Sequence, residues 1–365
     1  MTRPAVPWGD PGPREDRDAV QHAIGRVLAS GRFILGPEVE AFEHEFAAAS
    51  GASHAVGVAS GTDAITLILR ALGIGAGDEV ITTPISAAYT AFAIMATGAK
   101  PVFADVQPDR LTIDPAAISA AVTTRTRAIL PVHLYGQPAD MAGLEAVAAK
   151  HRLAIVEDCC QAHLATSDGL PVGTIGAAGA FSFYPTKNLG ALGDAGAVVT
   201  NDARLAEKIR VLRNGGQRER YHHEVPAVHS RIDEMQAAIL RARLTYLPGW
   251  TATRRMLAAT YRQALTAARA VPLPERDAGH VYHLFVVRSS RRASLQRHLA
   301  ARGIETLVHY PVPISKQRAL DAQQPADCPT AAAACAEVLT LPLHPGLTPS
   351  ALDAVAFAIS DFHED

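Results

Sequence analysis

Lys187 stands in the stretch FSFYPTKNLGALGDAG, residues 181–196. An apolar run delivers Ser182 and Tyr184 and then breaks at Pro185, so the lysine falls in a short loop beyond a buried strand end. In a desolvated setting a lysine can lose its proton, act as a nucleophile, and then carry a proton between two carbons. The glycines at 190, 193 and 196 let such a loop turn tightly and approach a ligand. A lone lysine is more often a solvated surface charge, so its company decides.

Two other segments supply that company. SGTDA, residues 60–64, precedes an amphipathic run. Ser60, Gly61 and Thr62 would offer unpaired amides, a hydroxyl and the positive end of a helix dipole to an anion such as phosphate. By itself the same pattern is an ordinary helix cap at Ser60 or Thr62. VEDCCQAH places Asp158 at the end of an apolar strand, with Gln161 three residues on. A carboxylate there is costly unless a cation pairs with it. A protonated pyridine nitrogen would be such a cation, and so would a structural ion pair; a helix cap is a further alternative. Together the three segments point to pyridoxal 5'-phosphate, whose cationic ring is an electron sink for a substrate carbanion.

The elements that must position these residues read as alternating strands and helices. From Gly61 onward Ile65, Ile68, Leu69 and Leu72 keep helical spacing. Apolar runs follow at 79–83, 100–106, 127–136, 153–158, 179–184 and 196–201, with helices over Ala88 to Thr97 and Asp140 to His151 among them. This predicts an α/β fold with a mainly parallel central sheet, ligands gathering at the strands' carboxyl ends. Farther on, Ser230 and Asp233 fit a capping box opening a helix through Ile232, Met235, Ile239, Ala242 and Tyr246. After Pro248 a further helix runs towards Ala270. A smaller C-terminal α/β unit is then expected, with strands at 280–288 and 304–310 and helices to about Arg302, near 330–338 and at 349–361. The prolines at 4, 7, 11 and 13 make residues 1–14 a loose arm, ahead of a large unit over 15–250 and a small one over 251–365.

SGTDA, EDCCQAH, FSFYPTKNLGALGDAGAVVT, HSRIDEMQAAIL and GIETLVHYPVP, in this order, resemble the DegT/StrS-type sugar aminotransferases, which are pyridoxal-phosphate enzymes of fold type I. The resemblance runs from about Phe33 to the segment at 341–347. It implies that Lys187 forms the Schiff base with the cofactor and Asp158 pairs with its pyridine nitrogen. It further implies that Gly61, Thr62 and Ser182 hold the phosphate and that Gln161 lies against the ring. Family members are homodimers, and the loop around His229 would reach the partner's site. The implied reaction moves an amino group from a donor amino acid, glutamate or glutamine, to a keto sugar, a nucleotide-linked 3- or 4-keto deoxysugar above a keto cyclitol. A non-catalytic cofactor-binding regulator is the alternative outside enzymes, and Lys187 argues against the family's histidine-bearing dehydratases. Two positions depart from the pattern: Ala87 stands where an aromatic ring usually stacks on the cofactor, leaving Tyr89 as the nearest ring, and His229 stands where asparagine is usual.

Composition agrees with small-molecule work. With 34 basic against 36 acidic residues there is no footprint for nucleic acid or an anionic membrane. An apolar leader and an 18-residue apolar run are missing, and the 4 cysteines form no CxxC pair, which favours a reduced cytoplasmic setting. His222, His223, Glu224 and His229 are interrupted by Pro226, so no metal is expected there. Neither a dinucleotide fingerprint nor a P-loop occurs.

Overall fold

The structure, a computed structural model, describes residues 4–9, 15–265, 270–323 and 325–362. The apolar runs form strands β2 (Glu79–Thr82), β3 (Lys100–Phe103), β4 (Thr126–Leu130), β5 (Ala154–Asp158), β8 (Ala178–Ser182) and β9 (Gly196–Thr200), preceded by β1 (His54–Val58). Between β5 and β8 lies a small hairpin, β6 (Thr166–Ser167) and β7 (Leu170–Pro171). The 7-stranded sheet has the order β1-β9-β8-β5-β4-β2-β3. Strand β9 runs antiparallel to both neighbours, whereas the pairs from β8 through β5, β4 and β2 to β3 are parallel. The sheet is thus mainly parallel, as the alternation of strands and helices predicted.

Helices α1 (Arg17–Ser30), α2 (Pro37–Ala49), α3 (Gly61–Ala71), α4 (Tyr89–Met95), α5 (Pro115–Ala121), α6 (Met141–His151), α7 (Ala203–Arg213) and α8 (Glu234–Leu244) surround it. Alternation along β9 shows the two covered faces. Val198 packs with Ile65, Leu69 and Leu205 from α3 and α7, while Ala197 and Val199 pack with Phe42, Phe46 and Leu240 from α2 and α8. On that second side Phe42, Phe46, Phe181 and Phe183 meet edge to face at 5.1 to 5.4 Å. Each such pair adds ~0.5–1.5 kcal/mol beyond area burial and holds the chain firmly just ahead of the lysine loop.

The second sheet is three-stranded: β12 (Val271–Pro272), β13 (Phe285–Arg288) and β14 (Val338–Leu341), all antiparallel. Between the sheets in sequence lies the hairpin β10 (Gln217–Glu219) and β11 (His222–His223). Helices α9 (Leu247–Ala264), α10 (Arg292–Ala301) and α12 (Pro349–Ser360) cover one face through Leu257, Leu299 and Val355. The other face, with Leu284 and Val286, joins Ile85, Phe103 and Leu134 beside α11 (Pro329–Glu337) in a core shared with the first sheet.

Several expectations are corrected. Residues 304–310 form only isolated bridges at Ile304 and Leu307; the strand pairing β13 is β14, straight after α11. The strand expected over 280–288 begins only at Phe285, because His280 to Leu284 turn back onto Tyr135 and Gly136. Ser230 does not cap α8, whose cap position is Asp233 without a side-chain bond; its hydroxyl instead accepts from the Ala59 amide and donates to Asp63. The helix expected towards Ala270 ends at Ala264, and 266–269 lie outside the described residues. Within the arm, residues 4–9 are not loose: Val6 is buried and bridges Ile304.

Candidate active site

Three chain ends meet where the parallel strands finish. Strand β1 leads into α3, whose Ser60 cap accepts from the Asp63 amide at 3.1 Å. That cap leaves the amides of Gly61 and Thr62, in the first turn, free to face an anion. Gly61 packs so closely that a Cβ there would stand 2.6 Å from the Cys160 sulfur and 2.8 Å from the Ser182 Cβ. Gly196, opening β9, would put a Cβ 2.3 Å from the Ser60 carbonyl carbon. Glycine at both positions draws the helix end down onto β8 and β9.

Asp158 ends β5 and is buried. Its Oδ2 accepts from the Thr90 hydroxyl at 2.8 Å and its Oδ1 from the Cys160 amide at 3.1 Å, so the turn-capping reading is realised alongside any role for its charge. The preceding residue fixes the strand end. Glu157, fully buried, accepts from the amides of Gly173, Ile175 and Gly176 at 2.7 to 3.0 Å. His133 completes its shell: the Ala139 amide donates to Nδ1, so Nε2 bears the proton given to Glu157 at 3.0 Å.

Gln161 is spent on two contacts. Its Oε1 accepts from the Tyr135 amide at 2.7 Å, and its Nε2 donates to the Tyr310 hydroxyl at 3.1 Å. Tyr135 holds a left-handed backbone (φ 60°), a costly conformation for a bulky residue, and its hydroxyl donates to the His309 carbonyl. Ser182 closes β8; its Oγ accepts from the Tyr184 amide at 3.3 Å and its carbonyl from His163 Nε2 at 2.9 Å.

Pro185 sits second in a turn closed by the Lys187 amide donating to the Tyr184 carbonyl at 2.8 Å. Lys187 is drawn inward, whereas Lys100, Lys150, Lys208 and Lys316 are all exposed. Burial lowers the Lys187 pKa, against the opposing pull of Cys160 and Asp158 beside it. The Lys187 charge is also felt around it: burial first, and that charge second, pull His163 down to about 3 and His309 to about 4. Burial drives the Cys160 thiol well up, so it stays protonated. The next residue, Asn188, ties the loop to the segment leading into β13 through the Val281 carbonyl at 3.1 Å and His283 at 3.2 Å.

Gly61, Ser182, Asp158, Gln161 and Lys187 are therefore assembled around one place, with Thr62 one residue along the helix end. Tyr89 and His229 are not brought in. The Tyr89 ring is 65% exposed and rests edge-on against Phe92, while its neighbour Thr90 holds Asp158. His229 is exposed and its ring meets Arg231. Thr90, Tyr135, His163, Asn188 and Tyr310 escaped the sequence reading. The only signal for Tyr310, His163 and Asn188 was their place in the GIETLVHYPVP, VEDCCQAH and FSFYPTKNLGALGDAG segments; Thr90 and Tyr135 carried none.

A group bearing a phosphate, a cationic ring nitrogen and an aldehyde fits this donor set: free amides at a helix end, a buried carboxylate and a lysine whose ammonium is destabilised. Residues 14–360 match the DegT/DnrJ/EryC1/StrS aminotransferase family. A dTDP-3-amino-3,4,6-trideoxy-alpha-D-glucose transaminase of Streptomyces venezuelae is 49% identical over 359 residues, covering 96% of this chain and 95% of that protein. Among solved structures, S. venezuelae DesV in complex with a ketimine intermediate superposes with a TM-score of 0.95 at 47% identity, covering 99% of this chain and 98% of that one. The Bacillus subtilis protein ntda with bound cofactor pmp superposes with a TM-score of 0.91 at 30% identity, covering 98% and 85%. The architecture is that of fold type I aminotransferases, and this chain belongs to the DegT/DnrJ/EryC1/StrS aminotransferase family.

Proposed function

We propose that this chain is a pyridoxal-phosphate aminotransferase that passes an amino group from glutamate or glutamine to a nucleotide-linked 3- or 4-keto deoxysugar. The observation that carries the chemistry is Lys187, the one inward lysine, at the junction of an anion-ready helix end and a buried carboxylate. When bound, the cofactor supplies the electron sink that makes the substrate's amine-bearing carbon acidic.

The protein's own groups do the rest. The first-turn amides of Gly61 and Thr62, with Ser182, would hold the phosphate; Asp158, fixed by Thr90 and the Cys160 amide, would keep the ring nitrogen protonated. Gln161 would lie along the ring, immobilised at both ends of its amide. Lys187, whose ammonium burial disfavours, would take the proton from one carbon and return it to another. With Tyr89 turned to the surface, aliphatic atoms near Ala87 would rest on the ring in its place.

The nucleotide sugar is supported by the 49% identical transaminase. A homodimer with shared sites is supported by exposed apolar residues near the lysine loop. Tyr184 and Leu192 flank Lys187, and Phe33 and Ile34 border the start of α8. His229 would serve the partner's site in that assembly. Among the described residues no helix is long and apolar enough to cross a membrane, and a cytoplasmic setting suits the free thiols at 159, 160, 328 and 335. An arm (1–14), a large unit (15–250) and a small unit (251–365) complete this reading.

The test is optical. Protein loaded with pyridoxal phosphate should lose its visible absorbance on adding glutamate or glutamine and regain it with a dTDP-linked keto sugar. A coloured protein unmoved by either donor would contradict aminotransfer and favour a regulatory role.

A further inference from the structure

Residues 4–9 run beside the segment that follows α10 as a short strap. The Val6 amide donates to the Gly303 carbonyl at 3.1 Å and the Glu305 amide returns a bond to the Val6 carbonyl at 3.0 Å, pinning the strap on both sides of Ile304. The Val6 side chain is buried in the core formed by α9, α10 and α12. Two residues on, the Trp8 amide donates to Glu305 Oε2 at 3.0 Å, and the indole lies over the His309 imidazole with centroids 5.4 Å apart and planes 32° from parallel.

His309 is held from its other sides as well. Its Nδ1 meets the Thr340 hydroxyl at 2.9 Å, and its carbonyl accepts from Tyr135. Tyr310 follows directly and takes the bond from Gln161 Nε2. A continuous set of contacts therefore runs from the indole through His309 and Tyr310 to the glutamine beside Lys187 and Asp158. Segment 303–313 has little regular backbone of its own, apart from isolated bridges, so side-chain contacts must fix it.

We propose that the Trp8 strap sets the position of the His309–Tyr310 wall, making Trp8 a positioning residue for the side of the site that holds Gln161. Trp8 is packed against the core that contains Tyr135, with Tyr310 beside it. It acts by closing off the outward displacement of His309, so that the Tyr310 hydroxyl stays within reach of Gln161. The tie to the cofactor through Gln161 rests on the proposed function; the positioning of the wall does not.

Two measurements on full-length Trp8→Ala and Trp8→Phe keep these apart. In amide exchange followed by mass spectrometry, Trp8→Ala should speed exchange over 303–313 at least about tenfold, leaving 154–162 unchanged, and Trp8→Phe should restore protection. In equilibrium titration with pyridoxal phosphate, Trp8→Ala should weaken cofactor binding about tenfold, and Trp8→Phe should restore it. Unchanged exchange over 303–313, or faster exchange spread evenly over the chain, would overturn the strap's role. Unchanged cofactor affinity in Trp8→Ala would overturn the link from the wall to Gln161. If the wild type aminates no keto sugar, the proposed function fails while the exchange measurement still judges the strap.

Discussion

The floor and the wall of the site are built on different principles. The floor consists of strand and helix ends: Asp158 closing β5, Ser182 closing β8, Gly61 and Thr62 opening α3, and Lys187 in the turn after β8. These ends are locked by ladder bonds and by the Phe42, Phe46 and Phe183 packing. The wall, segment 303–313, is irregular and is held by Trp8, Tyr135, Thr340 and Gln161. Regular ends give a fixed platform for the chemistry that every substrate undergoes, whereas an irregular wall can change without disturbing it. Floor substitutions should thus abolish or cripple both half-reactions, and wall substitutions should act more mildly, through the hold on Gln161.

The largest effect is expected at Lys187. Lys187→Ala should lower kcat at least about 10⁴-fold in both directions, since nucleophile and proton carrier are lost together. Asp158→Asn keeps the shape but removes the charge, and should cost about 10²–10³-fold in both half-reactions, read by stopped-flow absorbance. A half-reaction spared by either change would break the division.

Acid should act on the floor and wall at once. His163, His280 and His309 are held by burial at about 3, 3 and 4, below the 6.5 of a free imidazole. The unfolded chain therefore binds more protons below pH 6.5, and stability, complete above that value, falls as pH drops towards 4. The slope should approach about 1.4 kcal/mol per pH unit for each imidazole, measurable by urea unfolding between pH 7 and 5. A midpoint independent of pH in that window would contradict their burial as neutral rings.

Smaller effects sharpen the contrast. Tyr310→Phe strands the Gln161 amide and should cost about 1–3 kcal/mol, seen as weaker binding of pyridoxal phosphate in an equilibrium titration. Tyr89→Ala should change cofactor affinity less than about threefold, its ring contributing at most an exposed contact worth ~0.5 kcal/mol. A large loss there, by equilibrium titration with pyridoxal phosphate, would return Tyr89 to the ring.

Legibility follows the same line. Asp158, Ser182 and Lys187 could be found because apolar runs announce where buried strands stop, and helical spacing located the start of α3. Strand β1 was passed over because HAVGV is short and interrupted by Gly57, which lets Ile232 approach to within 2.4 Å of where a Cβ would stand. Strand β14 was hidden because it follows α11 without a turn. The partners Thr90, Tyr135 and Tyr310 lie 68, 26 and 149 residues from the residues they hold, and no local period encodes such contacts. The mistaken capping box at Ser230 has the same origin: its hydroxyl serves Ala59 and Asp63, far away in sequence.

The identity of the reactive lysine tests the central claim most directly. Full-length protein incubated with pyridoxal phosphate, reduced with borohydride and digested should carry the cofactor's mass on the peptide containing Lys187 and on no other. A label on Lys100, Lys150, Lys208 or Lys316 with Lys187 unmodified would contradict it.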